Sequence, residues 1–364
     1  MAGVPAMWLE IGRFLIGLVA LIVGAEILVR GASRLATSFG VSPLVVGLTI
    51  VAFGTSSPEI AVSVGAALSG NTELAVGNVV GSNIFNVLFI LGASALIVPL
   101  TVHSQLVRQE VPIMIGASAI LLVMVLDGGL ARYEALLLVG LAVFYTAYLV
   151  IQSRKESAEV AAEYAAGAPK VSRWESHPVL QIGMIVGGLV LLVAGANWLV
   201  DASVAFAQAL GVSDVVIGLT IVAAGTSMPE VATSLLAALR GERDIAVGNV
   251  VGSNTFNILA CLGLAGVVAP GGLPVPPSVL NFDLWVMVAV ALTCIPVFAS
   301  GRKIARWEGG VLFAYYIAYA AYLVLDASGH DSLDEYSAVM LSFAIPLTIV
   351  AIVAAYVRPR QGRS

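Results

Sequence analysis

Twice in this chain a glutamate, a proline and a pair of hydroxyl residues interrupt a long apolar run: FGTSSPEIAVS at residues 53–63 and AGTSMPEVATS at residues 224–234. Near the middle of a membrane span an ionised carboxylate is costly unless a cation or a hydrogen-bond donor compensates it. Two like carboxylates brought to one interface also repel each other unless positive charge lies between them. Glu59 and Glu230 therefore read as candidate cation ligands rather than as protonated structural acids. Thr55 and Glu59 are four residues apart and share a helix face, with Ser56 beside them; Thr226, Ser227 and Glu230 repeat the arrangement. Pro58 lacks an N–H and its ring crowds the carbonyl of Gly54, and Pro229 does the same to Gly225, so each helix is expected to break there and turn carbonyl oxygens toward a ligand.

A second doubled motif follows each glutamate: GNVVGSNIFN at 77–86 and GNVVGSNTFN at 248–257. Its glycines, Gly77 and Gly81 or Gly248 and Gly252, make a small-residue stripe that serves close helix packing. Ser82 and Asn86, like Ser253 and Asn257, lie four apart and present a hydroxyl and an amide on one face. Two carboxylates, hydroxyls, amide oxygens and freed carbonyls make a cage of hard oxygen donors without sulfur or imidazole. Such a set suits sodium or calcium rather than zinc or copper. His103, His177 and His330 fall at segment ends or in loops and are not expected in it. Two negative charges balance one calcium ion or two sodium ions, so competition for the same carboxylates is a natural basis for exchange.

The elements that must position these residues are membrane helices. The 364 residues are 59% hydrophobic and 11% charged, with a mean hydropathy of +1.00, which leaves too little charge to cover a soluble surface. Apolar stretches about 20 residues long, the length that crosses a bilayer core as helix, recur near residues 13–36, 44–68, 74–98, 111–126, 134–151, 179–200, 215–239, 245–268, 283–300, 309–325 and 336–357. The reading is an all-α polytopic membrane bundle of about eleven spans. These runs are too long and too uniformly apolar for barrel strands. The first has no basic leader and no small-residue cleavage site, and reads as a retained helix. With the N-terminus outside and the C-terminus in the cytoplasm, only Arg13 and Arg132 of the Lys and Arg residues fall outside, as the positive-inside rule requires. Cys261 and Cys294 form no CxxC pair and read as small buried apolar residues.

Displaced by 171 positions, the chain aligns with itself from Gly40 on Gly211 to Gly92 on Gly263 without a gap, and 35 of those 53 pairs are identical. Five helices per half, an odd number, invert the second copy relative to the first. The turns between the paired helices agree: SGNTE in the first copy carries no basic residue, whereas RGERD in the second carries Arg240 and Arg243. Inverted repeats with interrupted helices at matching positions mark secondary transporters with a site near mid-membrane. The expected organisation is a first repeat over 10–152 with its motif at 40–92, a cytoplasmic linker over 153–177, a second repeat over 178–326 with its motif at 211–263, and an extra span over 335–358.

AFGTSSPE, AAGTSMPE and the two GNVVGSN stretches resemble the α-repeats of the cation/calcium antiporter superfamily, and most of all those of prokaryotic sodium/calcium exchangers. The matching motifs lie in the two hairpins, and the helix plan extends the resemblance across most of the chain. The resemblance implies ten core helices in two inverted halves, clustered cation sites exposed alternately to each side, and a first helix of each half that slides over a rigid core. It assigns ion coordination to Thr55, Ser56, Glu59, Ser82, Asn86, Thr226, Ser227, Glu230, Ser253 and Asn257, with the backbone carbonyls of Ala52 and Ala223. Potassium-dependent members, and some prokaryotic ones, carry an aspartate where this chain has Asn257, so potassium co-transport is not expected and the number of sodium ions per calcium stays open.

The expected function is sodium/calcium antiport that exports calcium across a prokaryotic plasma membrane, with no enzymatic activity. No cofactor is expected beyond the transiently bound ions, and no nucleic-acid partner; the chain is expected as a monomer or weak homo-oligomer in the lipid bilayer. Calcium/proton antiport through the same cage is the alternative, since buried glutamates also titrate. A calcium-selective channel fits less well, because inverted duplication within one chain suits alternating access. An intramembrane aspartyl-type protease lacks its aspartate pair.

Overall fold

The long apolar runs fold as helices because in hydrocarbon each backbone N–H and C=O must be satisfied inside its own segment. The computed structural model describes residues 4–39, 41–167, 177–210, 223–299 and 301–348. Its helices are α1 (Val4–Phe39), α2 (Pro43–Thr55), α3 (Ser57–Leu68), α4 (Thr72–Ile97), α5 (Leu106–Met124), α6 (Arg132–Gly167), α7 (Pro178–Ala209), α8 (Met228–Leu239), α9 (Arg243–Val268), α10 (Val279–Ala299), α11 (Arg306–Ala327) and α12 (Leu333–Val339). Among the described residues eight helices are long and apolar enough to cross a bilayer, and α2 with α3 makes a ninth span, bent by 42°. Of the eleven expected spans, 215–239 and 336–357 extend well outside the described residues, and 283–300 by its last residue; the described part of the first is α8, preceded by the helical turn Ala223–Gly225, and that of the second is the end of α12 with the π-helical turn Met340–Ala344 and the helical residues 345–348. The linker expected over 153–177 begins as a helical extension of α6 to Gly167, and residues 168–176 lie outside the described set.

Burial sorts the helices into layers. α9 is the most deeply buried of the long helices and α4 the next, whereas α11 is the least buried. The two GNVVGSN helices therefore form the centre of the bundle, and α11 lies at its rim. Close packing by the glycine stripe holds for the second copy alone: a methyl group on Gly252 would meet the carbonyl of Leu48 at 2.7 Å and one on Gly248 that of Leu44 at 3.0 Å, which brings α2 of the first half against α9 of the second, whereas Gly77 and Gly81 of α4 have no described neighbour within 4 Å of an added methyl.

Two further features link the halves. α1 and α7, with 36 and 32 residues, run about 50 Å, well beyond a hydrocarbon core of about 30 Å. They cross antiparallel: Gly17 faces Gly195 and Gly24 faces Gly188, and a methyl group on any of the four would stand 2.7–2.9 Å from the other helix's backbone. The displacement of 171 carries Gly17 onto Gly188 and Gly24 onto Gly195, so the glycines at matching positions meet between helices that run in opposite senses. Short antiparallel strands then exchange across the halves, β1 (Leu100–Thr101) with β4 (Lys303–Ile304) and β2 (Gly129–Leu130) with β3 (Leu273–Pro274). Beside them Arg132 donates to the carbonyl of Ala269 at 3.0 Å and Arg306 to that of Ile97 at 3.1 Å. The two free cysteines are buried, as expected of small apolar residues.

Candidate cation site

The proline motifs end one helix and start another. α2 stops at Thr55 and α3 begins at Ser57, leaving Ser56 at φ −77° and ψ 3°; Ser227, just before α8, sits at φ −87° and ψ 7°. Pro58 and Pro229 then occupy the first turn of the new helix, where a missing N–H costs nothing because no intrahelical acceptor exists for it. Glu59 and Glu230 fall in that same turn. The exposed amides of a helix N-terminus favour negative charge, a stabilising contribution that the expected kink did not include.

Both glutamates are fully buried, and they lie close enough to interact electrostatically. Each is held by the opposite half: Ser227 donates to Glu59 Oε1 at 2.9 Å, and Ser56 to Glu230 Oε1 at 3.2 Å. Ser227 Oγ also lies 3.1 Å from Ser82 Oγ, which brings Ser82 of α4 into the cluster. The carbonyl of Ala52 accepts from Ser56 N at 3.0 Å and is within 3.3 Å of Thr55 Oγ1 and 3.5 Å of Ser253 Oγ. Ala223 opens the helical turn before the second break, in the position matching Ala52. Glu59 Oε2, Glu230 Oε2, Asn86 Oδ1 and Asn257 Oδ1 are buried without a hydrogen-bond partner among the described residues. Such oxygens are costly unless a cation meets them. Among the described residues no three His, Cys, Asp or Glu side chains converge, so neutral oxygens must complete any coordination shell.

Behind these ligands lies a supporting layer of asparagines that was not expected from the sequence. Thr55 Oγ1 donates to Asn249 Oδ1 at 3.0 Å, whose amide donates to Ser234 at 2.9 Å. In the mirrored chain Thr226 Oγ1 donates to Asn78 Oδ1 at 3.2 Å, and Asn78 donates to Ser63 at 3.0 Å. Asn78 and Asn249 sit beside Gly77 and Gly248 in GNVVGSN, and their repetition was the available signal. Also unforeseen were π-helical turns that begin at Asn86 and at Asn257, over Asn86–Leu91 and Asn257–Leu262. A π-turn widens the backbone ladder and commonly marks a functional position.

The profile of the family described as "Sodium/calcium exchanger protein" matches residues 9–152 and 180–325, the two halves that exchange these hydrogen bonds. The chain belongs to the sodium/calcium exchanger family. Among its relatives are the putative antiporter CaxA of Alkalimonas amylolytica, 40% identical over 84% of this chain and 95% of that one, and the sodium/calcium exchanger MaX1 of Methanosarcina acetivorans, 36% identical over 85% and 97%. A solved structure of the sodium-calcium exchanger NCX_Mj superimposes with a TM-score of 0.74 at 32% identity, covering 86% of this chain and 98% of that one. The chain is thus an integral membrane cation/calcium antiporter of helical fold, in a family of transporters rather than enzymes. All the residues expected as ligands in this exchanger lie at the two helix breaks or on the two central helices that cross beside them.

Proposed function

We propose that the protein exchanges sodium for calcium by alternating access, with the inward sodium gradient driving calcium out of the cell. In this reading Thr55, Ser56, Glu59, Ser82, Asn86, Thr226, Ser227, Glu230, Ser253 and Asn257, with the carbonyls of Ala52 and Ala223, hold the ions. The observation that carries it is the set of four buried oxygens without a hydrogen-bond partner among the described residues, two from carboxylates and two from amides, contributed equally by the two halves. An all-oxygen donor set of charge −2 is met by one calcium or by two sodium ions, and the two loads exclude each other. The empty cage leaves like carboxylates buried and unpaired, which resists passage through an occluded state and suppresses leak. The names of MaX1 and NCX_Mj support sodium as the counter-ion.

For sidedness, the N-terminus is placed outside and the C-terminus inside. Glu26 of α1 forms ion pairs with Arg30 and Arg240, and Ser33 donates to Glu242 at 2.8 Å, so the basic ends of α1 and of the α8–α9 turn share one end of the bundle. Their common basic charge supports a cytoplasmic location.

Radiocalcium flux into sealed proteoliposomes, with sodium and pH gradients imposed in turn, tests the proposal. Uptake that follows the sodium gradient at clamped pH is expected. Uptake that ignores sodium and follows the pH gradient would replace sodium by protons.

A further inference from the structure

At the crossing of α4 and α9 four asparagines form a two-fold knot. Asn83 Nδ2 donates to the backbone carbonyl of Asn254 at 3.2 Å, and Asn254 Nδ2 donates to that of Asn83 at 3.2 Å. Asn257 Nδ2 donates to Asn83 Oδ1 at 3.1 Å, and Asn86 Nδ2 to Asn254 Oδ1 at 3.0 Å. All four side chains are at most 3% exposed, so water does not compete for these bonds.

The orientation of every amide in the knot follows from one fixed polarity. A backbone carbonyl only accepts, so the Asn83 group facing the carbonyl of Asn254 must be its NH2. Its oxygen is then turned to Asn257 and only accepts, so Asn257 must present its NH2 there. That leaves Asn257 Oδ1 pointing out of the knot, buried and without a partner among the described residues. The same steps from the carbonyl of Asn83 through Asn254 leave Asn86 Oδ1 likewise without one. Without Asn83 or Asn254 the ligand amides have no fixed sense, and either end can face a cation.

We infer that Asn83 and Asn254 are positioning residues of the exchange site: each holds the ligand amide of the opposite half with its oxygen toward the ion. The inference rests on the reading of Asn86 and Asn257 as ion ligands. It makes the dependence crosswise. Asn83 acts through Asn257 and Asn254 through Asn86, although Asn83 is three residues from Asn86 on its own helix.

The test measures calcium binding and sodium-driven calcium uptake for Asn83→Ala, Asn254→Ala, Asn86→Ala, Asn257→Ala and the four double variants that pair one positioning with one ligand residue. Each positioning variant is expected to weaken apparent calcium affinity by about 10–100-fold, the usual loss when a residue orienting a metal ligand is removed. Asn83→Ala should add less than about threefold in the Asn257→Ala background but its full effect in the Asn86→Ala background, with the reverse for Asn254→Ala. A merely structural role would add equally in both. Equal addition in all four pairs, or unchanged affinity in both positioning variants while the ligand variants bind weakly, overturns the inference and leaves the site standing. Unchanged affinity in Asn86→Ala and Asn257→Ala overturns both. The two arms are independent, so if one positioning variant fails to fold the other decides.

Discussion

Replacing Glu59 with Gln isolates charge from shape. The amide oxygen of Gln can still accept from Ser227, which lies 2.9 Å from Glu59 Oε1, so what changes is the charge of the cage, from −2 to −1. At a calcium–oxygen distance of about 2.4 Å and an effective dielectric of about 20, one carboxylate contributes about 14 kcal/mol of gross attraction to a divalent ion. Most of that is offset by desolvation, and breaking a buried pair costs about 3–5 kcal/mol net. Calcium affinity should therefore fall by roughly two to nearly four orders of magnitude. A thermal-shift assay reads this directly. At a calcium concentration of about 100 times the parental Kd, the parent gains about 2.7 kcal/mol, whereas a variant with Kd raised about 150-fold gains about 0.3 kcal/mol. The calcium-dependent rise in melting temperature should shrink to roughly a tenth, and sodium-driven uptake in proteoliposomes should vanish while the protein remains correctly inserted. Glu230→Gln should behave alike, since Ser56 holds Glu230 in the equivalent way. Parental uptake and an undiminished thermal shift in both variants would refute the electrostatic argument.

Four other perturbations follow from the packing. Gly24→Val should slow uptake at least tenfold while leaving calcium affinity in detergent within about threefold, because its Cβ would stand 2.9 Å from the Gly188 carbonyl, between α1 and α7 and away from the ligands; paired flux and binding measurements check this. Arg240→Ala removes an ion pair to Glu26 in which Arg240 is 47% exposed, so the loss should be no more than about 1 kcal/mol and hard to detect by thermal melting. Tyr145→Phe removes the 2.8 Å hydrogen bond to the fully buried Glu110 and should cost about 1–3 kcal/mol; Tyr319→Phe, against the half-buried Asp283 at 2.7 Å, should cost less, and melting curves of the two variants compare them.

Roles that depend on the other half of the chain are the ones the amino-acid sequence did not reveal. Pro58 and Pro229 were legible as helix breaks, but not as first-turn residues that place Glu59 and Glu230 at a new N-terminus, because that depends on the backbone turning at Ser56 and Ser227. Asn78, Asn83, Asn249 and Asn254 were passed over in the same motifs that yielded Ser82, Asn86, Ser253 and Asn257. Helical spacing finds residues that share a face, whereas these four act on partners from the opposite half or the neighbouring helix. The strand exchange of β1 with β4 and β2 with β3 left no signal, since two-residue strands are too short to show alternation.

What the amino-acid order determined by itself was the membrane bundle, the duplication and the two acids embedded in apolar runs, because hydrophobic length, self-similarity and the cost of buried charge are local properties that can be counted along a chain. Which serine meets which glutamate, and which amide turns its oxygen outward, only the tertiary structure decided. Those contacts join residues 168 and 174 positions apart, and their polarity follows from donors and acceptors that meet only when the two halves interlock.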